Sequence, residues 1–211
     1  MKLTKEQVAD NRHRIIETAG RLFREYGFDG VGLADLMKAA GFTHGGFYNH
    51  FSSKQALAAE AALAGVRRSN SKLSDALTDE ERGPDSGLAN FVERYLSSEH
   101  RDDRAEGCTI ASLACDAARE GEEIQASFAK GIEDELNIFA SCFAKRGAED
   151  QDSAFSARDR AIQLMSALVG AVILARAVAQ ANPSLSGELL RVSWRNLRNL
   201  HFGDGDPAGG E

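Results

Sequence analysis

Residues 33–54, LADLMKAAGFTHGGFYNHFSSK, decide how the rest of the chain is read. Leu33, Leu36, Met37 and Ala40 fall at i, i+3, i+4 and i+7, the spacing of one buried helical face. Gly41 follows directly, where a glycine can turn left-handed and end the helix. Thr43 is the expected N-cap of a second helix over residues 44–51. Phe47 and Phe51 share one side of it and are expected to point inward. Gly45, Gly46, Tyr48 and Asn49 then face outward beside His44 and His50. Each glycine weakens a helix by about 1 kcal/mol relative to alanine, which makes sense where a backbone must approach another surface closely. Helix, glycine turn, helix is the DNA-reading helix-turn-helix arrangement, and this outer face suits base edges and phosphates. A glycine-rich loop beside a core is the alternative.

With 211 residues the chain is long enough for one large domain or two small ones; 43% hydrophobic and 27% charged residues are ordinary for a soluble globular protein. The N-terminus, MKLTKEQVADNRHR, lacks the apolar core of a signal peptide. The most apolar stretch, 167–181, is shorter than a bilayer span and carries Arg176. A soluble, cytoplasmic protein with no membrane partner is expected. Cys108, Cys115 and Cys142 are odd in number and lack metal-ligand spacing, so no disulfide framework, metal or cofactor is expected. The net charge of −7 is unevenly divided. Residues 1–54 hold eight Lys/Arg against six Asp/Glu, a balance of +2, and residues 55–211 carry −9. With Lys2, Lys5, Arg12 and Arg14 ahead of the helix-turn-helix, the positive end suits phosphate contact.

Residues 1–10 read as an arm. Ile15, Ala19, Leu22, Phe23 and Tyr26 give a first helix one apolar face, closed by Gly27. Ser52 or Ser53 caps a connector helix over 54–77, and TDEERGPDSG at 78–87 reads as a charged loop. Helical faces recur from Leu88, from Cys108 and from Ile124, with a break at 97–107. Residues 156–181 are apolar nearly all round and so are expected to be buried on every side. The next helix has its own apolar face, more surface than one core covers. A homodimer contact through Leu168, Val172, Ala175, Leu190, Trp194 and Leu197 is expected, with burial inside the monomer as the alternative. No stretch alternates with a strand's period, so the fold class is all-α with about nine helices.

The order of these parts, with FREYGF followed by LADLMKAAGFTHGGFYNHFSSKQAL, resembles the TetR/AcrR family of transcriptional regulators over about residues 11–65. Gly41, Phe42, Thr43, Gly45, Phe47, Tyr48, His50, Phe51, Ser53 and Lys54 match the family pattern. The resemblance implies that Thr43 caps the recognition helix and touches phosphate, and that Tyr48 and Lys54 bind backbone phosphates. It places His44, Gly45, Gly46 and Asn49 in the major groove, where Asn or His can hydrogen-bond a base edge. His50 is expected near the strand backbone or packed under the turn. Gly32 departs from the usual Thr or Ser, a cap weaker by roughly a few tenths of a kcal/mol.

The resemblance further implies a homodimer, a double-stranded DNA operator and a small-molecule effector that relieves repression. The domains are then a DNA-binding unit over 1–53 with its motif at about 33–52, a ligand-binding and dimerisation domain over 54–202, and a disordered tail over 203–211. Phe91, Tyr95, Phe128, Phe139 and Phe143 are candidates to line the ligand site, each equally readable as core. Cys108, after Gly107 at a helix start, is either a redox or electrophile sensor or a small buried hydrophobe. A helical-bundle small-molecule binding protein or enzyme is the competing class. No nucleophile elbow, phosphate loop or HExxH motif supports catalysis, so a regulator that is not an enzyme is expected.

Overall fold

The computed structural model describes residues 4–78, 83–146 and 155–202, and these are helical nearly throughout. Helix α1 spans Lys5–Tyr26 and α2 Leu33–Ala40, and a 3₁₀ segment covers His44–Asn49. Then come α3 (Lys54–Leu77), α4 (Gly83–Tyr95), α5 (Ser98–Asp102), α6 (Thr109–Ala117), α7 (Glu122–Arg146), α8 (Ala157–Val178) and α9 (Pro183–Phe202). No strand occurs among the described residues, and the all-α expectation holds. By contact the chain forms two compact units, residues up to 70 with 103–134, and 71–102 with those from 135 onward. The division falls inside α3 and α7.

In the first unit, α1 begins earlier than the sequence suggests. The Thr4 hydroxyl accepts the Gln7 amide hydrogen at 3.2 Å, and the Gln7 side chain accepts that of Thr4 at 2.9 Å. This capping box satisfies two otherwise unpaired donors and extends the helix into the expected arm. Ile15, Ala19 and Phe23 are fully buried, but Tyr26 is 58% exposed because the chain turns off at Gly27 with φ 79°.

In the second unit, α4 starts at Gly83, inside the expected loop; Pro84 is tolerated there because the first helical N–H groups have no intrahelical partner. The expected break at 97–107 contains α5, whose start is capped by the Ser97 hydroxyl accepting from the His100 amide at 3.1 Å. Arg176 of α8 donates to the carbonyls of His100 and Arg101 at 3.0 and 2.9 Å. The fully buried Ser186 of α9 donates to the Ala175 carbonyl at 2.8 Å and accepts from Arg101. These bonds fix α5, α8 and α9 to one another. Helix α8 is apolar and long enough to cross a membrane by length and composition, yet 44% of its most apolar window is buried within the chain. The tail at 203–211 lies outside the described residues.

Glu135 on α7 is 6% exposed, and its Oε2 has no hydrogen-bond partner among the described residues. Burial raises its pKa from 4.5 to about 7, because the anion would lose hydration without gaining a partner. The folded state therefore holds this proton more tightly than the unfolded state. Its stabilising effect is complete below the unfolded pKa and is lost as pH rises through the folded one. Between those limits stability should fall by roughly 3 kcal/mol from this group alone, at about 1.4 kcal/mol per pH unit. Glu135→Gln should flatten that slope, which urea melts at a series of pH values would reveal; an unchanged slope would place the titration elsewhere.

Candidate nucleic-acid interface

The reading segment is built from its turn outward. Gly41 closes α2 with φ 85°, its amide donating to the Lys38 carbonyl at 3.0 Å while the Phe42 amide donates to Met37 at 2.8 Å. That pairing is a Schellman end, and it needs the left-handed residue that glycine supplies. The Arg14 guanidinium packs over the Phe42 ring at 5.3 Å and donates to the Ala40 carbonyl at 3.2 Å, bracing the turn from α1. Thr43 is extended and its carbonyl accepts from the Gly46 amide at 3.0 Å, opening the 3₁₀ segment.

The segment differs from the expected helix over 44–51. It is a six-residue 3₁₀ turn ending at Asn49, and Thr43 makes no side-chain capping bond. Two adjacent glycines give the α-helix little support here, and i→i+3 bonds suffice for so short a piece. The inward side matches its sequence reading. Phe47 is fully buried and stacks on Phe51 at 5.6 Å. The Arg12 guanidinium lies 4.6 Å from the Phe51 ring and pairs with Glu60.

Outward, Thr43, His44, Gly45, Tyr48 and Asn49 are exposed, and Gly46 and His50 half-buried. Tyr48 is 66% exposed, its ring edge-on to Phe47 at 5.3 Å and to His44 at 6.3 Å. His50 packs against Phe42 and Phe51 at 6.4 and 6.3 Å, and its Nδ1 is buried without a partner. It sits under the turn. A Cβ on Gly45 would meet no atom within 4 Å, and the positive-φ glycines described are Gly27 and Gly41. Neither packing nor backbone conformation inside the protein requires glycine at 45.

Ser53, rather than Ser52, caps α3, its hydroxyl accepting from the Ala56 amide at 3.0 Å. Lys54 donates from Nζ to the Phe28 carbonyl at 2.6 Å. Arg12, Arg14 and Lys54 thus all have internal partners, which the count of charges does not reveal. Lys38, exposed in the last turn of α2, is a further cation beside this surface that the motif does not single out; its signal is a basic residue just before the turn.

The remaining candidates fall elsewhere. Phe91 touches Tyr95 and Phe139 at ring separations of 5.7 and 5.9 Å, and Phe143 lies 5.1 Å from His201. Phe128 is buried in the first unit. Cys108 is the N-cap residue of α6 and only 6% exposed, the environment of a packed thiol; Cys115 is the exposed cysteine. The residues expected at a homodimer contact are largely packed within the single chain. Leu168, Val172, Ala175, Leu190 and Leu197 are 0–5% exposed within the single chain, and Trp194 is half-buried. They lie on the inner faces of α8 and α9. The apolar side chains left outside are Ile162, Leu174, Leu185, Val192 and Leu200.

Residues 15–61 match the family described as bacterial regulatory proteins, tetR family, and residues 84–185 match the C-terminal domain of LmrA/YxaF-like transcriptional regulators. The transcriptional repressor NemR of Escherichia coli is 22% identical over 94% of this chain and 97% of its own length. LmrA of Bacillus subtilis, a transcriptional regulator, is 23% identical over 83% of this chain and 92% of its own. The crystal structure of reduced NemR superposes with a TM-score of 0.75, covering 90% of this chain and 96% of that one at 22% identity. A TetR regulator from Chloroflexus aurantiacus gives 0.76, covering 93% and 97% at 21% identity.

Proposed function

Given that the chain belongs to the TetR family of bacterial regulatory proteins and is a DNA-binding transcriptional regulator, we propose that it is a cytoplasmic homodimeric repressor, without enzymatic activity, that a small-molecule effector releases from its operator. The observation that carries the DNA contact is the exposed surface of residues 43–50. It offers a bare backbone at Gly45, a phenol, an amide and an imidazole, over a buried Phe47 that holds them in place. A glycine that nothing inside the protein requires fits an external surface in close approach. Asn49 is the base reader in this scheme; Tyr48 and Thr43 contact phosphates, with Lys38 as an added phosphate contact. Lys54 joins them only by releasing the Phe28 carbonyl. The effector site belongs to the aromatic cluster of Phe91, Tyr95 and Phe139 in the second unit.

Selection from a pool of random duplexes should recover a pseudo-palindrome whose half-sites lie about one helical turn, or a multiple of it, apart. On that site Asn49→Ala should reduce affinity by about 1–3 kcal/mol and relax the preference at one base pair per half-site. Tyr48→Phe should weaken binding by about 1 kcal/mol for every sequence alike. A purified protein that binds the selected site no better than random DNA would falsify the reading.

A further inference from the structure

In the first unit, away from the 43–50 surface, Gly20, Arg21 and Arg24 of α1 and Gly65 and Arg68 of α3 line a cleft of about 30 Å³. Its positive groups are unequally paired. Arg21 and Arg68 share the Glu106 carboxylate, at 2.7 and 2.9 Å. Glu17, the other acidic group at the cleft, is 57% exposed and lies 3.8 Å from the His13 ring nitrogen. Arg24 is 4% exposed, and its Nε–H donates to the Ala105 carbonyl at 2.6 Å. Among the described residues its two terminal amino groups meet no protein acceptor and open on the cleft.

A guanidinium carries five N–H donors; here Nε–H is used inside the protein, and the terminal amino groups are left to the cleft. Burial and the nearby Arg68 charge lower its pKa to about 10, so it stays charged at neutral pH. The two glycines keep space open around it. A Cβ on Gly20 would lie 3.3 Å from Arg24 Nη1; one on Gly65 would lie 3.1 Å from the same atom and collide with Thr109 Oγ1. That hydroxyl is itself buried without a partner. Beside Gly65, then, a guanidinium fork that opens on the cleft and a buried hydroxyl without a partner come together.

We propose that this cleft binds a small oxyanion, a carboxylate or phosphate group, held by the Arg24 fork with Arg21 and Arg68 completing the positive wall. The planar fork matches two oxygens of such a group. The anion adds the acceptors that the protein does not supply and competes with Glu106 for its two arginines. Because α1 also braces the reading turn through Arg12 and Arg14, occupancy links this cleft to the DNA-facing segment; that consequence rests on the function proposed above, whereas binding itself does not.

The test is a titration of the full-length, DNA-free protein with inorganic phosphate and, separately, acetate, at ionic strength fixed with sodium chloride. The Arg24 Nε–H and the Gly20 and Gly65 amide resonances report binding. Saturable shifts at all three are expected, absent with chloride alone, and the anion that saturates first identifies the ligand class. Arg68→Gln should weaken binding about tenfold, the equivalent of roughly 1.4 kcal/mol for one charge-assisted contact. Arg24→Gln should abolish it; if that variant does not fold, the double variant Arg21→Gln/Arg68→Gln takes its place. Absence of saturation with either anion, or unaltered binding in the folded variants, overturns the proposal. Neither result depends on DNA binding.

Discussion

Phe47→Ala should destabilise the reading segment by about 3–5 kcal/mol, the usual effect of truncating a fully buried phenylalanine. The segment has little else to hold it. Its six residues form a 3₁₀ turn with poor intrinsic stability, two of them are glycines, and Thr43 adds no side-chain cap. The Phe47 ring supplies the contacts, stacked on Phe51 at 5.6 Å and edge-on to Tyr48 at 5.3 Å. Removing it leaves Tyr48 and Asn49 on a backbone without an anchor. Operator affinity should therefore fall at least about 100-fold, since each 1.4 kcal/mol lost in forming the bound conformation is tenfold. Thermal melts and binding to the selected duplex check the two parts. The α1 helix keeps its capping box and its buried Ile15, Ala19 and Phe23, so total helicity should change little. Binding within threefold of the parent would show that something other than this ring organises the surface.

Side-chain periodicity shows what it is suited to show. Leu36, Met37, Ala40, Phe47 and Phe51 are buried as their spacing requires, and Gly41 takes the left-handed conformation that its place after an apolar face predicts. The 3₁₀ winding of residues 44–49 is not legible in this way, because over six residues the two helix types bury the same aromatic. Partners distant in sequence are hidden too. Arg12 and Arg14 count as free positive charge until Glu60 and the Ala40 carbonyl, 48 and 26 residues away, are seen beside them. Helix α8 hides its packing side for a different reason. A helix apolar all round has no phase, so sequence alone does not say which side meets α9. Leu168, Val172 and Ala175 are buried within the single chain, which their spacing alone does not reveal.

With the phase known, Leu174→Asp combined with Leu200→Asp should convert a dimer of 22.7-kDa chains to monomers. Helices α8 and α9 are joined by a short turn and pack as an antiparallel pair whose inner faces are buried. On the outside, Ile162 and Leu174 remain 43% and 56% exposed on α8, and Leu185, Val192 and Leu200 are 39%, 40% and 64% exposed on α9. Single exposed apolar side chains need no explanation, but five on two packed helices are the apolar groups these helices leave for a partner. In the proposed homodimer a second copy of the same surface would cover it, since a two-fold contact needs only self-complementarity. An aspartate buried within such an interface loses hydration with no opposite charge to meet it, so association should weaken by several kcal/mol. Neither side chain lies in the core, so the fold should be retained. DNA binding should suffer more than either half-site contact explains. Two reading surfaces held together act at high effective concentration, and separating them removes about 10²–10⁴ in affinity without altering any contact to DNA. Sedimentation at micromolar concentration and titration of a full site against a half-site separate the effects. The double variant should bind the full site no more tightly than the half-site. A parent protein that sediments as a monomer, or a double variant that stays dimeric, would place the partner's contact elsewhere.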